Sequence, residues 1–490
     1  MLDARPIVQT RLDEFCRILI FHYVVTMALK SNSESDRTSL WLSSSVLVVT
    51  FAVTTLTVHK WRQRQRGSDA SLCTAHEQLI LQGTPMVKLR VASNVLGRNV
   101  FVKMESLNPG GTGKDRAALS MIRRAEDEGL LPKPILTSAG RQDNDLLLHS
   151  ITEPSIDSVK NHSTSQASSH KPCNEGIAQQ GTMEQMITRA MKRSRTGGLV
   201  VEGTSGSTGI ALATLCAARG HACLVVLPDD QAKEKQTILR SLGAVVYEVP
   251  TAAISNPNHY VNLARKAAIL ARETMQIDAV FTDQFENEAN FDIHYHQTGP
   301  ELWKQRRGKV DAFVMSSGTG GTIAGVGTYL KERKPSIQVV LADPPGSALY
   351  HKIEHGVAYA VEQRERTLRK HRYDTLAEGI GLDRVTQNFA LGLNSIDRSI
   401  RVTDQEAVDM AHWILRTEGL WVGSSSAMNL VGAMTVALDL PRGSNVVTMI
   451  CDTGQRHATR FWSPAFVEDW GLKWPDEDCI PECLNDVISK

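Results

Sequence analysis

The residues best placed to do chemistry lie in glycine-rich loops that feed helices. In the first, Asn108-Pro-Gly-Gly-Thr-Gly-Lys114-Asp-Arg116, a turn-rich stretch runs into a helical pattern with Ala118, Met121, Ile122 and Ala125 on one face. That pattern puts Lys114 at a helix start, where the macrodipole and the neighbouring Arg116 both disfavour an ammonium ion. A neutral lysine there is a nucleophile able to form an imine with a carbonyl. A nucleotide-binding P-loop is the competing reading, and it fails on two positions. Asn108 stands where the first glycine should be, and Asp115 where a Ser or Thr must reach magnesium.

Two further loops add anion-binding capacity. Glu202-Gly-Thr-Ser-Gly-Ser-Thr-Gly209 lies between a strand pattern and a helix, and its hydroxyls and backbone N–H groups suit a carboxylate. Ser316-Ser-Gly-Thr-Gly-Gly-Thr322 also follows a strand and opens a helix, with glycines that let backbone wrap an anion while Thr319 and Thr322 add donors. A phosphate is its natural occupant. Ile323 occupies the last position of a would-be G-x-G-x-x-G, so a dinucleotide is disfavoured.

The elements that must position these loops alternate. Strand patterns at Leu199 to Glu202, Ala222 to Leu227 and Ala244 to Val249 are separated by helical patterns at Thr208 to Arg219 and Gln231 to Leu242. The rhythm resumes with strands at Asp311 to Ser316, Val339 to Ala342 and Val446 to Cys451. Such β-α-β order predicts a mostly parallel α/β architecture with ligands at the carboxyl ends of strands. With 490 residues, 42% of them hydrophobic, the chain can bury a large core. A formal net charge of +1 offers no broad basic face, so nucleic acid is not an expected partner. The cysteines form no C-x-x-C pair and the histidines are irregularly spaced, so no metal site is expected; Cys479 and Cys483 are the nearest pair.

Together, in this order, the motifs resemble the cysteine synthase and cystathionine β-synthase family, the second fold type of pyridoxal-phosphate enzymes. The resemblance runs from about Leu79 to Arg456 and opens with Leu81-Gln-Gly-Thr-Pro-Met-Val-Lys-Leu89. It implies a tryptophan synthase β-like fold of two α/β subdomains with mostly parallel sheets. It also implies that pyridoxal 5′-phosphate is held by Lys114, the catalytic residue, with its phosphate on Gly318, Thr319, Gly320, Gly321 and Thr322. Within Trp421-Val-Gly-Ser-Ser-Ser426, Ser425 falls where the family's serine meets the pyridine nitrogen. A hydroxyl there, unlike a carboxylate, does not keep the nitrogen protonated, which makes a milder electron sink. Thr204, Ser205, Gly206 and Thr208 fall on the substrate-carboxylate loop, Gln284 on a residue that helps hold that carboxylate, and Gly379 on the loop lining the substrate amine. Asp452-Thr-Gly-Gln-Arg456 resembles the closing segment. In one departure, Ser207 stands where the family usually has an asparagine near the cofactor's 3′ oxygen.

The implied reaction is β-replacement, in which sulfide displaces acetate from O-acetylserine to give cysteine. A cysteine desulfhydrase or a serine/threonine dehydratase would use the same residues, and a membrane-tethered interaction protein that has lost the chemistry is a different class of reading. Dimeric relatives imply a homodimer.

The expected domain plan is an N-terminal segment (1–38), a transmembrane helix (39–59), a basic linker (60–76), a catalytic domain (77–470) and a tail (471–490). The anchor rests on Leu40 to Val58, which carries no charge. Lys60, Arg62, Arg64 and Arg66 then put the catalytic domain in the cytosol. Resemblance to membrane-anchored fungal members implies the mitochondrial outer membrane, with the endoplasmic reticulum as the alternative. The stretch 134–197, rich in Ser, His, Asn, Gln and Lys and without apolar periodicity until about Met183, is expected to be a mostly disordered insertion.

Overall fold

Uninterrupted apolar runs such as Leu-Val-Val and Leu-Val-Val-Leu give strands that bury both faces, as parallel sheets require. The computed structural model describes residues 74–134, 181–359 and 375–488. Its strands are β1 (Met86–Lys88), β2 (Asn99–Met104), β3 (Gly198–Gly203), β4 (Ala222–Pro228), β5 (Val245–Val249), β6 (Asp278–Phe281), β7 (Ala312–Ser316), β8 (Gln338–Asp343), β9 (Arg398–Arg401) and β10 (Asn445–Ile450). Every residue of β3 and β4 is buried. Six strands form one sheet in the order β1-β2-β10-β7-β8-β9, and four form a second in the order β5-β4-β3-β6. All pairings are parallel except that of β1 with β2. The two expected α/β subdomains are these two sheets with their helices.

Each sheet carries its own apolar core on both faces. Around the larger, one face packs Val314, Val340 and Val446 against the buried helix Ser424–Asp439, and the other packs Phe313, Leu341 and Val447 against Ile323, Val326 and Leu330. Around the smaller, Val200 and Val225 meet Ile210, Leu215 and Ile122 on one side, while Leu199 and Leu224 meet Ile187, Ala264 and Ala268 on the other. Local signals set the helix ends. Thr182 with Gln185 and Thr403 with Glu406 each form a capping box.

One expectation changes. The end of the supposed disordered insertion is ordered: Met183–Met191 is a helix that buries Met186, Ile187 and Ala190 against the smaller sheet. Its short apolar stripe lies among polar residues and is easily read as loop. The rest of that stretch, 135–180, lies outside the described residues, as do the transmembrane helix expected at 39–59 and nearly all of the linker. Among the described residues no helix is long and apolar enough to cross a membrane. The expected tail packs on the fold, with Leu484 in the core of the larger sheet.

Candidate active site

Lys114 is the first residue of the helix Lys114–Asp127, with Gly113 at the N-cap, as the sequence predicts. Its loop leaves β2 in the larger sheet, whereas the helix it opens packs Ala118, Leu119, Ile122 and Ala125 into the core of the smaller one. Lys114 therefore stands at the crossing between the two halves. Arg116 behaves differently from the sequence expectation. Fully buried, it reaches Glu105 at 2.8 and 3.0 Å and Glu301 at 2.8 Å through two nitrogens. Its charge is taken up by these carboxylates, so it anchors the loop and is not a bare cation acting on Lys114. Burial works against the Glu105 carboxylate, but Arg116 and Lys103 together hold its pKa down to about 2. Asp115 caps the turn by accepting from Gly110 N at 2.5 Å, and burial pushes its carboxyl up to about 7.

The phosphate loop follows β7 and opens the helix Gly321–Arg333. Gly320 has φ of 89°, and a side chain there would strike Phe389. Thr319 accepts from Asn290 Nδ2 at 2.8 Å, while its carbonyl accepts from Thr386 Oγ1 at 2.8 Å. Thr322 Oγ1 lies 3.1 Å from His294 Nε2, and His294 Nδ1 lies 3.0 Å from Thr298 Oγ1. Burial pushes the His294 pKa down to about 3, so the ring beneath the loop is neutral. An anion here is met by backbone N–H groups and a helix start.

The second loop follows β3 and opens the helix Ser207–Arg219, with Thr204 and Thr208 buried. Thr208 Oγ1 donates to Gln284 Oε1 at 2.5 Å, and Gln284 Nε2 donates to the Gly203 carbonyl at 3.2 Å. The structure thus brings Gln284, distant in sequence, onto this loop. Beneath it, Glu202 accepts from the Thr282 hydroxyl and, at 3.1 Å, from Gly203 N, yet burial pushes its carboxyl up to about 8.

Gly379 joins the two anion loops. A Cβ on Gly379 would lie 3.3 Å from Ser205 Oγ, and a Cβ on Gly318 would lie 2.3 Å from the Gly379 carbonyl oxygen. The preceding Glu378 is buried and pairs with Lys235, itself 2% exposed, and with Arg460 Nε at 3.1 Å. Burial opposes the Glu378 charge, but Lys235, His457 and Arg460 pull its pKa below the usual carboxylate value.

At the larger sheet's end, Ser425 lies in the first turn of the helix Ser424–Asp439, and Asn429 of the same helix donates to Cys451 Sγ at 3.3 Å. Lys114 is close enough to act electrostatically on both Cys451 and His294. The buried hydroxyls of Ser316, Ser317 and Ser424 have no partner among the described residues. Spare hydroxyls beside a cradle that side chains would fill suit a phosphate monoester carried on a polar ring. The cradle fits pyridoxal 5′-phosphate, which the resemblance would place with its phosphate against Gly318 to Thr322, its carbonyl carbon at Lys114, its ring nitrogen at Ser425 and its 3′ oxygen near Ser207. Of the predicted residues, Lys114, Thr204, Ser205, Gly206, Ser207, Thr208, Gln284, the phosphate loop, Gly379 and Ser425 all lie on loops or helix starts at the carboxyl ends of strands or joined to them by the contacts above. Sequence reading missed Asn290, His294, Thr386, Lys235 and Arg460. No local motif marks them, because their contacts cross tens of residues.

Residues 78–141 and 181–452 match the family described as pyridoxal-phosphate dependent enzyme, and the chain belongs to that family. The relatives narrow the class. Cysteine synthase 2 of Schizosaccharomyces pombe is 40% identical over 390 residues, covering 79% of this chain and 83% of that one. Cysteine synthase 2 of Neurospora crassa is 41% identical over 396 residues, covering 80% and 73%. A Saccharomyces cerevisiae relative, 42% identical over 388 residues (79% and 83%), bears a name that assigns it provisionally as a mitochondrial cysteine synthase. Among solved structures, O-ureido-L-serine synthase is 25% identical and superposes with a TM-score of 0.57, covering 82% of this chain and 96% of that one.

Proposed function

We propose that this protein is a cysteine synthase that forms L-cysteine and acetate from O-acetyl-L-serine and sulfide. The observation that carries this reading is the convergence at Gly379, which touches the carboxylate loop at Ser205 and the phosphate loop at Gly318. An amino-acid substrate gripped there lies between its own carboxylate site and the cofactor's phosphate site.

Bound pyridoxal phosphate supplies an electron sink that acidifies the substrate Cα–H and lets a β-substituent depart. The chain's residues do the rest. Thr204, Ser205, Gly206 and Thr208 hold the substrate carboxylate, with Gln284 fixing the Thr208 hydroxyl. Lys114 takes the proton from Cα and later returns it, so one amine serves as base and acid. Acetate leaves Cβ with its bonding pair, and bisulfide forms the new C–S bond. Ser425 faces the ring nitrogen as a hydroxyl, which limits charge delocalisation and favours β-chemistry over transamination. Orientation at the convergence point supplies much of the acceleration.

The test is the parent enzyme beside Lys114→Ala. The parent should form cysteine from O-acetylserine and sulfide, and borohydride should fix the cofactor to the peptide containing Lys114. The variant should lose activity by roughly 10²- to 10⁴-fold. Pyruvate and sulfide from cysteine alone, at a rate exceeding synthesis, would assign the chain to desulfhydration instead.

For location, the uncharged stretch Leu40 to Val58 with its basic flank supports a membrane anchor with the catalytic domain in the cytosol. The name of the S. cerevisiae relative favours the mitochondrion, and an anchor with a cytosolic catalytic domain would there lie in the outer membrane. Protease protection of tagged, fractionated protein tests both membrane and side. A homodimer is the expected assembly, checked by light scattering.

A further inference from the structure

Lys235 stands in the first turn of the helix Lys233–Ser241, which packs on the helix opened by the carboxylate loop. A lysine there is ordinarily a solvated cation, yet this residue is 2% exposed. Two contacts stand out. The stem lies against the carboxylate loop: a Cβ on Gly206, where φ is 134°, would come within 2.5 Å of Lys235 Cδ and 3.3 Å of Cγ. Nζ then donates to Glu378 Oε2, on the segment whose Leu376 and Ala377 sit in the core of the larger sheet. Glu378 Oε1 has no hydrogen-bond partner among the described residues; Arg460 Nε at 3.1 Å and His457 Nδ1 at 3.7 Å approach the carboxylate without hydrogen-bonding it. Lys235 therefore sets which way Glu378 points. The next residue, Gly379, has φ of 82° and no side chain to pin it, so its place follows from that of Glu378.

We propose that Lys235 is a positioning residue for the amino-acid substrate: its stem on the carboxylate loop and its ammonium group on Glu378 together set the gap between Ser205 and Gly379, and with it the grip on the substrate's carboxylate and amine. A Cβ on Gly379 would lie 3.3 Å from Ser205 Oγ, so the two loops are near contact and a small shift of either changes that grip. Stem and charge act separately. The stem fills the space that a side chain on Gly206 would need and gives the loop a fixed floor. The ammonium group supplies the one hydrogen bond that the Glu378 carboxylate makes among the described residues. Without it, Glu378 keeps Arg460 and His457 as neighbours, both from the segment after β10, and turns toward them. Gly379 turns with it, away from Ser205. Both contacts serve the end of the substrate that every α-amino acid shares, so the β-substituent does not feel the change.

The role rests on the reading of these loops as the carboxylate and amine sites of a cysteine synthase, and the test separates the two. Cofactor-loaded parent, K235M, E378Q and the double variant K235M/E378Q are titrated with O-acetylserine and with L-alanine, which has no leaving group. Binding is read from the visible absorption band of the bound cofactor. K235M keeps a stem and loses the charge. Its half-saturating concentration should rise roughly 10- to 100-fold, by the same factor for both amino acids. E378Q leaves Lys235 an amide oxygen to donate to and should show a smaller rise, roughly two- to tenfold. The double variant should be no worse than K235M, because both substitutions break one contact. Cofactor affinity and the KM for sulfide should stay within about threefold of the parent's. A K235M protein that binds both amino acids as the parent does overturns the proposal. So does one that loses cofactor affinity by an equal factor, which a merely structural role would produce, and so do factors for the two amino acids that differ by more than about tenfold. Should K235M not fold, E378Q decides alone, and parent-like binding of both amino acids overturns the proposal. A parent that binds L-alanine yet makes no cysteine from O-acetylserine and sulfide removes the synthase reading and leaves the role of Lys235 to be decided by the alanine titration. A parent whose band neither amino acid moves overturns both.

Discussion

Gly318→Ala is the perturbation whose consequence the structure specifies most closely. A Cβ at this position would stand 2.3 Å from the Gly379 carbonyl oxygen, and real Cβ atoms essentially never approach closer than 3.0 Å. The phosphate loop and the Gly379 loop must therefore separate by at least 0.7 Å (3.0 − 2.3). The obstacle is backbone, so no side-chain rotation relieves it. Backbone N–H groups aimed at a phosphate are charge-assisted donors worth about 1.5–3 kcal/mol each. Losing one by displacement weakens cofactor binding by roughly 10- to 150-fold. A displacement approaching 1 Å also misaligns the reacting atoms and can cost about 10²-fold in kcat. The assay is titration of cofactor-free protein with pyridoxal phosphate, followed by absorbance. Gly327→Ala is the control, since Gly327 lies in the helix that this loop opens and its Cβ would meet side chains and no backbone, Val339 Cγ1 at 3.0 Å and Ser395 Cβ at 3.9 Å. Its binding should stay within about threefold of the parent's. If Gly318→Ala binds as tightly as Gly327→Ala, the loops do not abut as described and the convergence argument fails.

Three other outcomes are expected. Arg116→Met should destabilise the fold by about 3–5 kcal/mol in urea titrations, because Glu105 is left buried without its main partner. The Glu105 pKa lies at about 2 against an ordinary 4.5, so its stabilisation is present above pH 4.5 and is lost as pH falls through 2; the parent's acid loss of about 3 kcal/mol over that window should be absent from the variant. Glu202→Gln should act at the other end of the pH scale. With a folded pKa of about 8 raised from 4.5, Glu202 binds a proton in the folded state that the unfolded state has released, so parent stability declines as pH rises from 4.5 to 8. Thermal melts should show that decline reduced in the variant, by at most about 5 kcal/mol. Ser207→Asn should tighten cofactor or substrate binding by roughly two- to tenfold through one added donor, measured as Kd and KM; weaker binding of both would show that the site is built around the shorter side chain.

What could be read from the sequence was what local chemistry determines. Lys114 and the two anion loops sit where a strand pattern breaks into glycine and hydroxyl residues and a helix pattern begins, and the structure has helix starts at Lys114, Ser207 and Gly321. Gln284 carries no such signal. It came only from the family resemblance, and its contact with Thr208 spans 76 residues. Asn290 and His294 were invisible for a related reason. They lie on a helix and the π-turn after it, packed behind the phosphate loop, and polar side chains on a helix ordinarily face water. Lys235 likewise carries no local signal of burial, yet its side chain is 2% exposed and pairs with that of Glu378, 4% exposed. Arg116 was seen but assigned the wrong effect, since its two carboxylate partners are distant in the chain.

These buried charges also explain how two separately packed halves make one site. Among the described residues the large apolar clusters of the two sheets are separate and the small cluster of Ala117, Met121 and Ala289 bridges them, so hydrophobic packing fixes each half internally more than it aligns one with the other. Alignment falls to polar links across the gap. Glu234 accepts from Thr459 N and Oγ1 at 2.7 Å, Lys235 pairs with Glu378, and Arg460 reaches both Glu378 and the Asp230 carbonyl. Hydrogen bonds and ion pairs are directional where apolar contact is not, and a buried pair is little weakened by salt. The pairing of Lys235 with Glu378 sets Gly379 near Ser205, and Lys114 opens the helix that runs from the β2 side into the core of the smaller sheet. Any change in the angle between the halves therefore alters the distance from the loop after β7 of the larger sheet to Lys114 and the loop after β3, both of which open helices seated on the core of the smaller sheet.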